Sequence, residues 1–317
     1  MILVTGAAGF VGKAVCASLS SSRQVRACVR RGGATDIPDG VDVSQKLLLP
    51  DEEWRDALVG VKTVIHCAAR VHVMKDKSTD PLMEFRRVNV EGTLRLANQA
   101  ASLGVDRFVF VSSIKVNGEE TQAGQSFSAE HSPAPVDPYG LSKMEAEQGL
   151  RAIASKSGME IVIVRPPLVY GPGVKANFRS IMRWLSRGWP LPLGAITDNR
   201  RSFVGMANLV DLLVTCIDHP AAANRTFLVS DGEDLSTAAL LQRIGMALGM
   251  PAKLIPFPPG LLKWGGAFLG RPGVASRLCG SLQVDISFTK KVLGWSPPVS
   301  VDQELHRTAQ YWLRSQK

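Results

Sequence analysis

The chain has 317 residues, 45% hydrophobic and 21% charged, the balance of a soluble protein with material for one large or two moderate domains. Its formal net charge of +9 comes without a Lys/Arg-rich stretch interleaved with aromatics, which argues against nucleic-acid binding. Attraction for polyphosphate ligands, or for an anionic membrane surface, accounts for the sign. No apolar run approaches the ~18 residues of a spanning helix. The most apolar candidate, 260–269, is short and glycine-rich and reads as a buried or interfacial helix. Cys16, Cys28, Cys67, Cys216 and Cys279 are odd in number and lack metal-ligand spacing, so reduced thiols, no metal and a cytoplasmic location are expected. A first strand at Ile2 leaves no room for a signal peptide.

The opening residues Met1 to Thr5 read as a buried parallel strand feeding a glycine-spaced turn, Gly6-x-x-Gly9-x-x-Gly12, and then a helix over 10–19. In such a turn Gly6 permits the tight bend, Gly9 lets backbone N–H groups reach a pyrophosphate, and Gly12 allows close helix–strand packing. The phosphates are expected at the helix N-terminus, over Phe10 and Val11. A second strand over 25–29 ends in Arg30-Arg31, where an acid would hold the ribose 2′-OH of NAD, and no acid precedes Asp36. Two arginines there suit a 2′-phosphate, so NADP(H) is favoured, with NAD(H) as the alternative.

Further strands are predicted over 63–66, 107–112, 160–164 and 226–229, alternating with helices over 51–58, 81–102, 138–157 and 208–219. Alternation of this kind predicts an α/β fold, a doubly wound parallel sheet of Rossmann type. From Pro166 the chain turns loop-rich, as it does again over 251–259 after a helix at 236–248. The expected division is a dinucleotide-binding domain at 1–170 and 203–230, with a smaller substrate-binding lobe at 171–202 and 231–317.

Asp137-Pro138 is a helix start, an N-cap followed by proline at the first helical position. Tyr139 and Lys143 are four residues apart on that helix and share a face. A cation beside the phenol is expected to lower its pKa from ~10 and make Tyr139 a proton donor or acceptor. Ser112-Ser113 end a strand at the edge where a cofactor would lie, and a hydroxyl there can steer a substrate oxygen. His66, His131, His219 and His306 read as structural, whereas His72 lies in a loop able to cover a nicotinamide. Glu145 and Glu147 read as solvated helix residues.

Together these residues resemble the extended short-chain dehydrogenase/reductases, the group of UDP-glucose 4-epimerase and nucleotide-sugar dehydratases and reductases. The marks are Thr5-Gly6-x-x-Gly9-x-x-Gly12, His66-Cys67-Ala68-Ala69, Asn89-Val90-Glu91-Gly92-Thr93, Val111-Ser112-Ser113, Tyr139-x-x-x-Lys143 and Arg165-Pro166-x-x-Val169-Tyr170-Gly171-Pro172-Gly173. The resemblance spans the chain and implies a Ser113/Tyr139/Lys143 catalytic set, with Lys143 also on the nicotinamide ribose. It adds Ala68, Ala69 and Pro166 to the cofactor site, and Ser112, Asn177, Arg201 and Arg277 to a UDP-sugar site. A homodimer through the helices at 81–102 and 138–157 is implied as well. Two departures, Val116-Asn117-Gly118 for the common Val-Tyr-Gly and Lys115 for a small or hydroxylated residue, bear on which sugar is taken.

Within the family the chain looks most like a subgroup linked to bacterial polysaccharide (O-antigen) precursor synthesis. Its expected activity is NADPH-dependent reduction of a UDP-4-keto-6-deoxy-N-acetylhexosamine, the alternative being a UDP-hexose or UDP-N-acetylhexosamine 4-epimerase with tightly bound NAD. A non-catalytic dinucleotide sensor could dispense with the Ser, Tyr and Lys, and a reductase of steroid-like ketones would not require Asn177 and Arg201.

Overall fold

In a computed structural model of the chain, residues 1–30, 32, 37–71, 80–261 and 277–316 are described, without the side chains of 176 and 177. Arg31, His72 and most of the 260–269 run therefore lie outside the described residues, as does the Asn177 side chain.

Seven strands form one parallel sheet: β1 (Ile2–Thr5), β2 (Val25–Val29), β3 (Asp42–Gln45), β4 (Thr63–His66), β5 (Arg107–Val111), β6 (Glu160–Arg165) and a strand at Arg225–Leu228. The last is β9, because β7 (Leu168–Tyr170) and β8 (Arg201–Gly205) leave this sheet and join β10 (Asp234–Leu235) in a second, three-stranded one. The large sheet runs β3-β2-β1-β4-β5-β6-β9, with Ile2 facing both Val25 and Thr63. The chain therefore winds one way from β1 and then the other, and the reversal between β1 and β4 opens a crevice at the strands' carboxyl ends.

Strand alternation decides which helices cover which face. Ile2, Val4, Val109, Val111, Val162 and Val164 join a core with α1 (Phe10–Leu19) and α7, the helix at Met206–Asp218. Leu3, Phe108, Phe110, Ile161 and Ile163 point the opposite way, into a core with a helix at Thr93–Ser102 and another at Pro138–Ser157. Both faces of the sheet are covered, which is why its strands read as continuous apolar runs.

The remaining helices number in chain order: α2 (Arg55–Leu58), α3 (Pro81–Phe85), α4 (Thr93–Ser102), α5 (Pro138–Ser157), α6 (Ala176–Ser186), α8 (Thr237–Ala247), α9 (Ser287–Leu293) and α10 (Val301–Arg314). The helix expected over 81–102 is one rod, but Arg86–Gly92 within it is wound as a π-helix. That segment places Asn89 in the interior, and Gly92 there lets the rod approach the Leu48 backbone, 2.9 Å from where a Cβ would lie.

A third core, built from Tyr170, Phe178, Met182, Leu185, Phe203, Leu241, Leu305 and Trp312 among others, holds the second sheet with α6, α8 and α10. Leu168–Tyr170 and the strand ending at Gly205 pair here and not with the large sheet. The helices α6, α9 and α10 and the short strands β3, β7, β8 and β10 went unread. In α6 the spacing of Phe178, Ile181, Met182 and Leu185 carried the helical period, and in α10 the Ser300/Gln303 capping box marked the start.

Candidate functional site

Among the described residues, those expected to bind the cofactor or to act in catalysis lie on segments leaving a carboxyl end of the large sheet or on a helix against it, whereas Arg201 lies on the second sheet. After β1, Gly6 takes φ +66°, and its amide neighbour closes the turn as Gly9 N–H donates to the Gly6 carbonyl at 2.8 Å. A Cβ on Gly12 would sit 2.3 Å from that same oxygen, so α1 packs directly on the turn as the spacing predicted. At Gly9 a Cβ would meet the Gly6 carbonyl at 2.9 Å; turn closure alone already demands glycine there. Gly9 is the N-cap of α1, with no side-chain cap and no acid in the first turn. An uncapped helix N-terminus beneath a glycine cradle fits a pyrophosphate, so the residues present suit a dinucleotide.

After β2 comes Arg30, exposed, and the neighbouring β3 runs out through Gln45 into Lys46 rather than into an acid. After β4, the Ala68 N–H donates to Thr5 Oγ1 at 3.2 Å, and the Thr5 hydroxyl also meets His66 Nδ1 at 2.6 Å. His66 Nε2 lies 2.9 Å from Thr93 Oγ1. Burial first, and the Lys143 charge second, push His66 down to about 3, so it is a neutral bridge between β1, β4 and α4. Ala69 follows on the same loop. Beyond it, Asn89 accepts from the Arg70 N–H (2.8 Å) and donates to the Arg70 carbonyl (3.0 Å) and to Ser142 Oγ (3.0 Å). Ser142 in turn donates to the Tyr139 carbonyl, so the buried Asn89 ties the β4 loop to the helix turn that carries Tyr139.

Helix α5 starts as the sequence predicts. Asp137 caps it by accepting from the Gly140 N–H at 2.6 Å, with Pro138 at the first position. Tyr139 is partly buried, with the Phe85 ring edge-on at 6.0 Å, and among the described residues no protein group hydrogen-bonds its hydroxyl. Lys143 is buried; its ammonium donates to the Val111 carbonyl at 2.9 Å and sits 4.4 Å from the Phe110 ring centroid. Burial lowers it to about 8. Tyr139 departs from the expected direction: burial, and then the Asp137 charge, raise its pKa well above the ordinary value. Lys143 spends its charge on Val111 and Phe110, so desolvation decides the phenol.

Ser113 follows β5 and caps a short 3-10 turn, Ile114–Val116, its Oγ accepting from the Lys115 N–H at 3.3 Å. The Pro166 carbonyl accepts from the Ile114 N–H at 2.9 Å, which fixes this turn beside the end of β6. Lys115 reaches back to α5: its ammonium pairs with Asp137 and, at 2.6 Å, with Glu119. Burial works against that charge, but the two carboxylates outweigh it and raise the Lys115 pKa. Gly140 lets α5 sit on this turn, since a Cβ there would lie 2.8 Å from the Lys115 carbonyl.

Two expectations need correcting. Ser112 is buried and donates its hydroxyl to Glu147 Oε1 at 2.6 Å, which places it in the core instead of at a substrate. Glu147 is not solvated: it is buried against Arg165, which adds a bond to Asn117 Oδ1 at 2.9 Å. Tyr139, Lys143 and Glu147 recur every four residues, a spacing that puts all three on one helix face, though not by itself an inward one. On the second sheet, Arg201 donates to the carbonyls of Arg277 (3.0 Å) and Gly280 (3.1 Å), which brings these two predicted residues together. Burial lowers the Arg201 pKa, with Glu120 acting against it. Among the described residues no His/Cys/Asp/Glu group is arranged to hold a metal.

Residues 2–230 match the family model described as NAD dependent epimerase/dehydratase family. A UDP-glucose 4-epimerase of Vibrio cholerae is 49% identical over 316 residues, 99% of this chain and 96% of its own. This chain belongs to the NAD dependent epimerase/dehydratase family. Among solved structures of that fold, the Thermotoga maritima UDP-glucose 4-epimerase with UDP-glucose aligns over 100% of this chain and 99% of its own (TM-score 0.80, 22% identity). MoeE5, in complex with UDP-glucose and NAD, aligns over 100% and 99% (TM-score 0.77, 25% identity). The chain is an enzyme of this family, an extended short-chain dehydrogenase/reductase.

Lys143 carries a stability cost that a substitution exposes. Below pH ~8 both the folded and unfolded chains hold this proton, and burying the charge costs about 3 kcal/mol. That cost fades as pH rises from about 8 towards 10.5, the ordinary lysine value, where the unfolded chain also loses the proton. Lys143→Met is expected to be more stable at pH 7 in urea unfolding, with the gain shrinking at alkaline pH.

Proposed function

We propose that this enzyme moves a hydride to and from C4 of a UDP-linked sugar. The observation that carries the reading is that Ser113 follows β5, that Lys143 donates to the Val111 carbonyl at its end, and that Gly140, next to Tyr139, packs on the Lys115 carbonyl of the turn after Ser113. Gly6, Gly9, Phe10, Val11 and Gly12 would hold the pyrophosphate of a nicotinamide dinucleotide, with Ala68, Ala69 and Pro166 along the nicotinamide and Lys143 on its ribose. When bound, that cofactor supplies the hydride acceptor and donor. Tyr139 takes the proton of the C4 hydroxyl and returns it, Ser113 orients the C4 oxygen, and Lys143 supplies positive charge beside the reacting pair. Asn177, Arg201 and Arg277 would take the UDP moiety.

The 49% identity to a UDP-glucose 4-epimerase over the whole chain favours 4-epimerisation, with NAD retained. Arg30 favours the second reading, net reduction of a 4-keto sugar by NADPH in polysaccharide precursor synthesis, since Arg30 and Arg31 suit a 2′-phosphate. Incubation with UDP-glucose and UDP-N-acetylglucosamine, followed by chromatography, is expected to yield the C4 epimers with no net change in cofactor. Consumption of NADPH with a UDP-4-keto-6-deoxy-N-acetylhexosamine would replace that reading with the reductase. Neither product from folded, cofactor-binding protein would overturn C4 chemistry altogether. A cytoplasmic homodimer paired through α4 and α5 belongs to the same proposal.

Lys115 bears on the pH dependence. Asp137 disfavours the Tyr139 phenolate, and Lys115 offsets that carboxylate. In the oxidising direction, which needs Tyr139 as a base, Lys115→Met is expected to move the acid limb of kcat to higher pH. Asp137→Asn, which keeps the cap, moves it back in the double variant.

A further inference from the structure

The net charge, which reads as dispersed, is concentrated. The stretches 161–197 and 235–284 contain ten Lys and Arg and no Asp or Glu. The remaining 27 basic residues stand against all 28 acidic ones, and of the ten Arg165 and Arg243 form salt bridges, to Glu147 and to Glu233 and Asp302. They also meet in space. The Leu191 N–H donates to the Lys253 carbonyl at 2.9 Å, and the Gly194 N–H to the Ile255 carbonyl at 3.0 Å.

At this junction large apolar side chains face solvent: Trp184 is 45% exposed, Trp189 44%, Ile255 50% and Phe257 38%. Trp184 and Trp189 pack edge to face at 5.0 Å, and the Arg187 guanidinium lies 4.9 Å from the Trp189 ring centroid. Exposed Lys253 is the second cation of the patch. Apart from Tyr170 and Cys279, the titratable side chains in these stretches are all basic.

We infer that this face of the smaller lobe docks on an anionic lipid bilayer, its tryptophans and aliphatic tips entering the headgroup layer between basic side chains. Tryptophan prefers the membrane–water interface, and each Lys or Arg near an anionic surface adds attraction that falls off within a Debye length. A second copy of the chain docked face to face would bring Arg187 and Lys253 against their own counterparts, charges of the same sign, which electrostatics disfavours. The inference is independent of which C4 reaction the enzyme runs.

The test is flotation of the full chain with vesicles of phosphatidylcholine alone or mixed with phosphatidylglycerol. Co-flotation with the mixed vesicles at low salt, release at high salt and no flotation with phosphatidylcholine are expected. Arg187→Glu and Lys253→Glu should each lower partitioning on the order of fivefold or more. Trp184→Ser with Phe257→Ser should also weaken it, and Lys290→Glu, an equal charge change on α9, should not. Cofactor binding by each variant checks its fold. Absence of flotation overturns the inference, as does equal loss in the α9 control, which would assign binding to overall charge. Unchanged binding by the Trp184/Phe257 variant overturns it too. So does a change of oligomeric state caused by the patch substitutions, which would make the face a contact between copies.

Discussion

Tyr139→Phe is expected to reduce turnover by about 10²–10⁴-fold, the range for loss of a positioned acid–base group, while dinucleotide affinity stays near wild type. The separation follows from the geometry. The Tyr139 ring packs on Phe85 and its backbone carbonyl accepts from Ser142, and Phe preserves both contacts. The hydroxyl has no protein partner among the described residues, so its removal strands no buried donor or acceptor. Steady-state kinetics with a fluorescence titration of NAD(H) and NADP(H) measures the two effects separately. A fall in kcat with unchanged KM would mean that Tyr139 acts in the transition state rather than in sugar binding. Retained turnover would remove Tyr139 from the proposed mechanism.

The largest loss of stability is expected from breaking the Arg165–Glu147 pair. Both side chains are nearly inaccessible, at 4% and 3% exposure, and they join the end of β6 to the middle of α5. Arg165→Met leaves the Glu147 carboxylate buried with only the Ser112 hydroxyl, and strips Asn117 Oδ1 of its donor. Removing one partner of a buried pair costs about 3–5 kcal/mol, because the surviving charge has no compensation. Urea unfolding of Arg165→Met should show that loss, and Glu147→Leu in the same chain should recover much of it by removing the stranded charge. Additive losses in the double variant would show that the two residues act separately. Because β6 and α5 flank Ser113 and Tyr139, the single variant should also lose activity beyond what its unfolded fraction explains.

The site was legible where local chemistry and topology agree. Apolar strands at Ile2–Thr5 and Thr63–His66, the glycine turn, and the Asp137-Pro138 start of α5 are all written in short windows. From them the parallel sheet, the crevice at its carboxyl ends, and the positions of Ser113, Tyr139 and Lys143 on that edge could be inferred. The second sheet was not legible, because β7, β8 and β10 are two to five residues long and pair across long sequence separations.

Electrostatic roles depended still more on packing. Lys143 and Glu147 look alike as charged residues of an amphipathic helix, and their shared i,i+4 face hints only that they point the same way. What each does was decided by partners distant in sequence: the Val111 carbonyl and Phe110 ring for Lys143, Arg165 and Ser112 for Glu147. The direction of the Tyr139 shift reversed for the same reason, since burial outweighed a cation that packing had turned elsewhere. The amino-acid pattern was sufficient for the family, the sheet and the edge on which chemistry can occur, because hydrophobic period and turn residues act over a few positions. Ionisation was settled by the folded chain, because desolvation and Coulomb forces depend on distance in space rather than along the sequence.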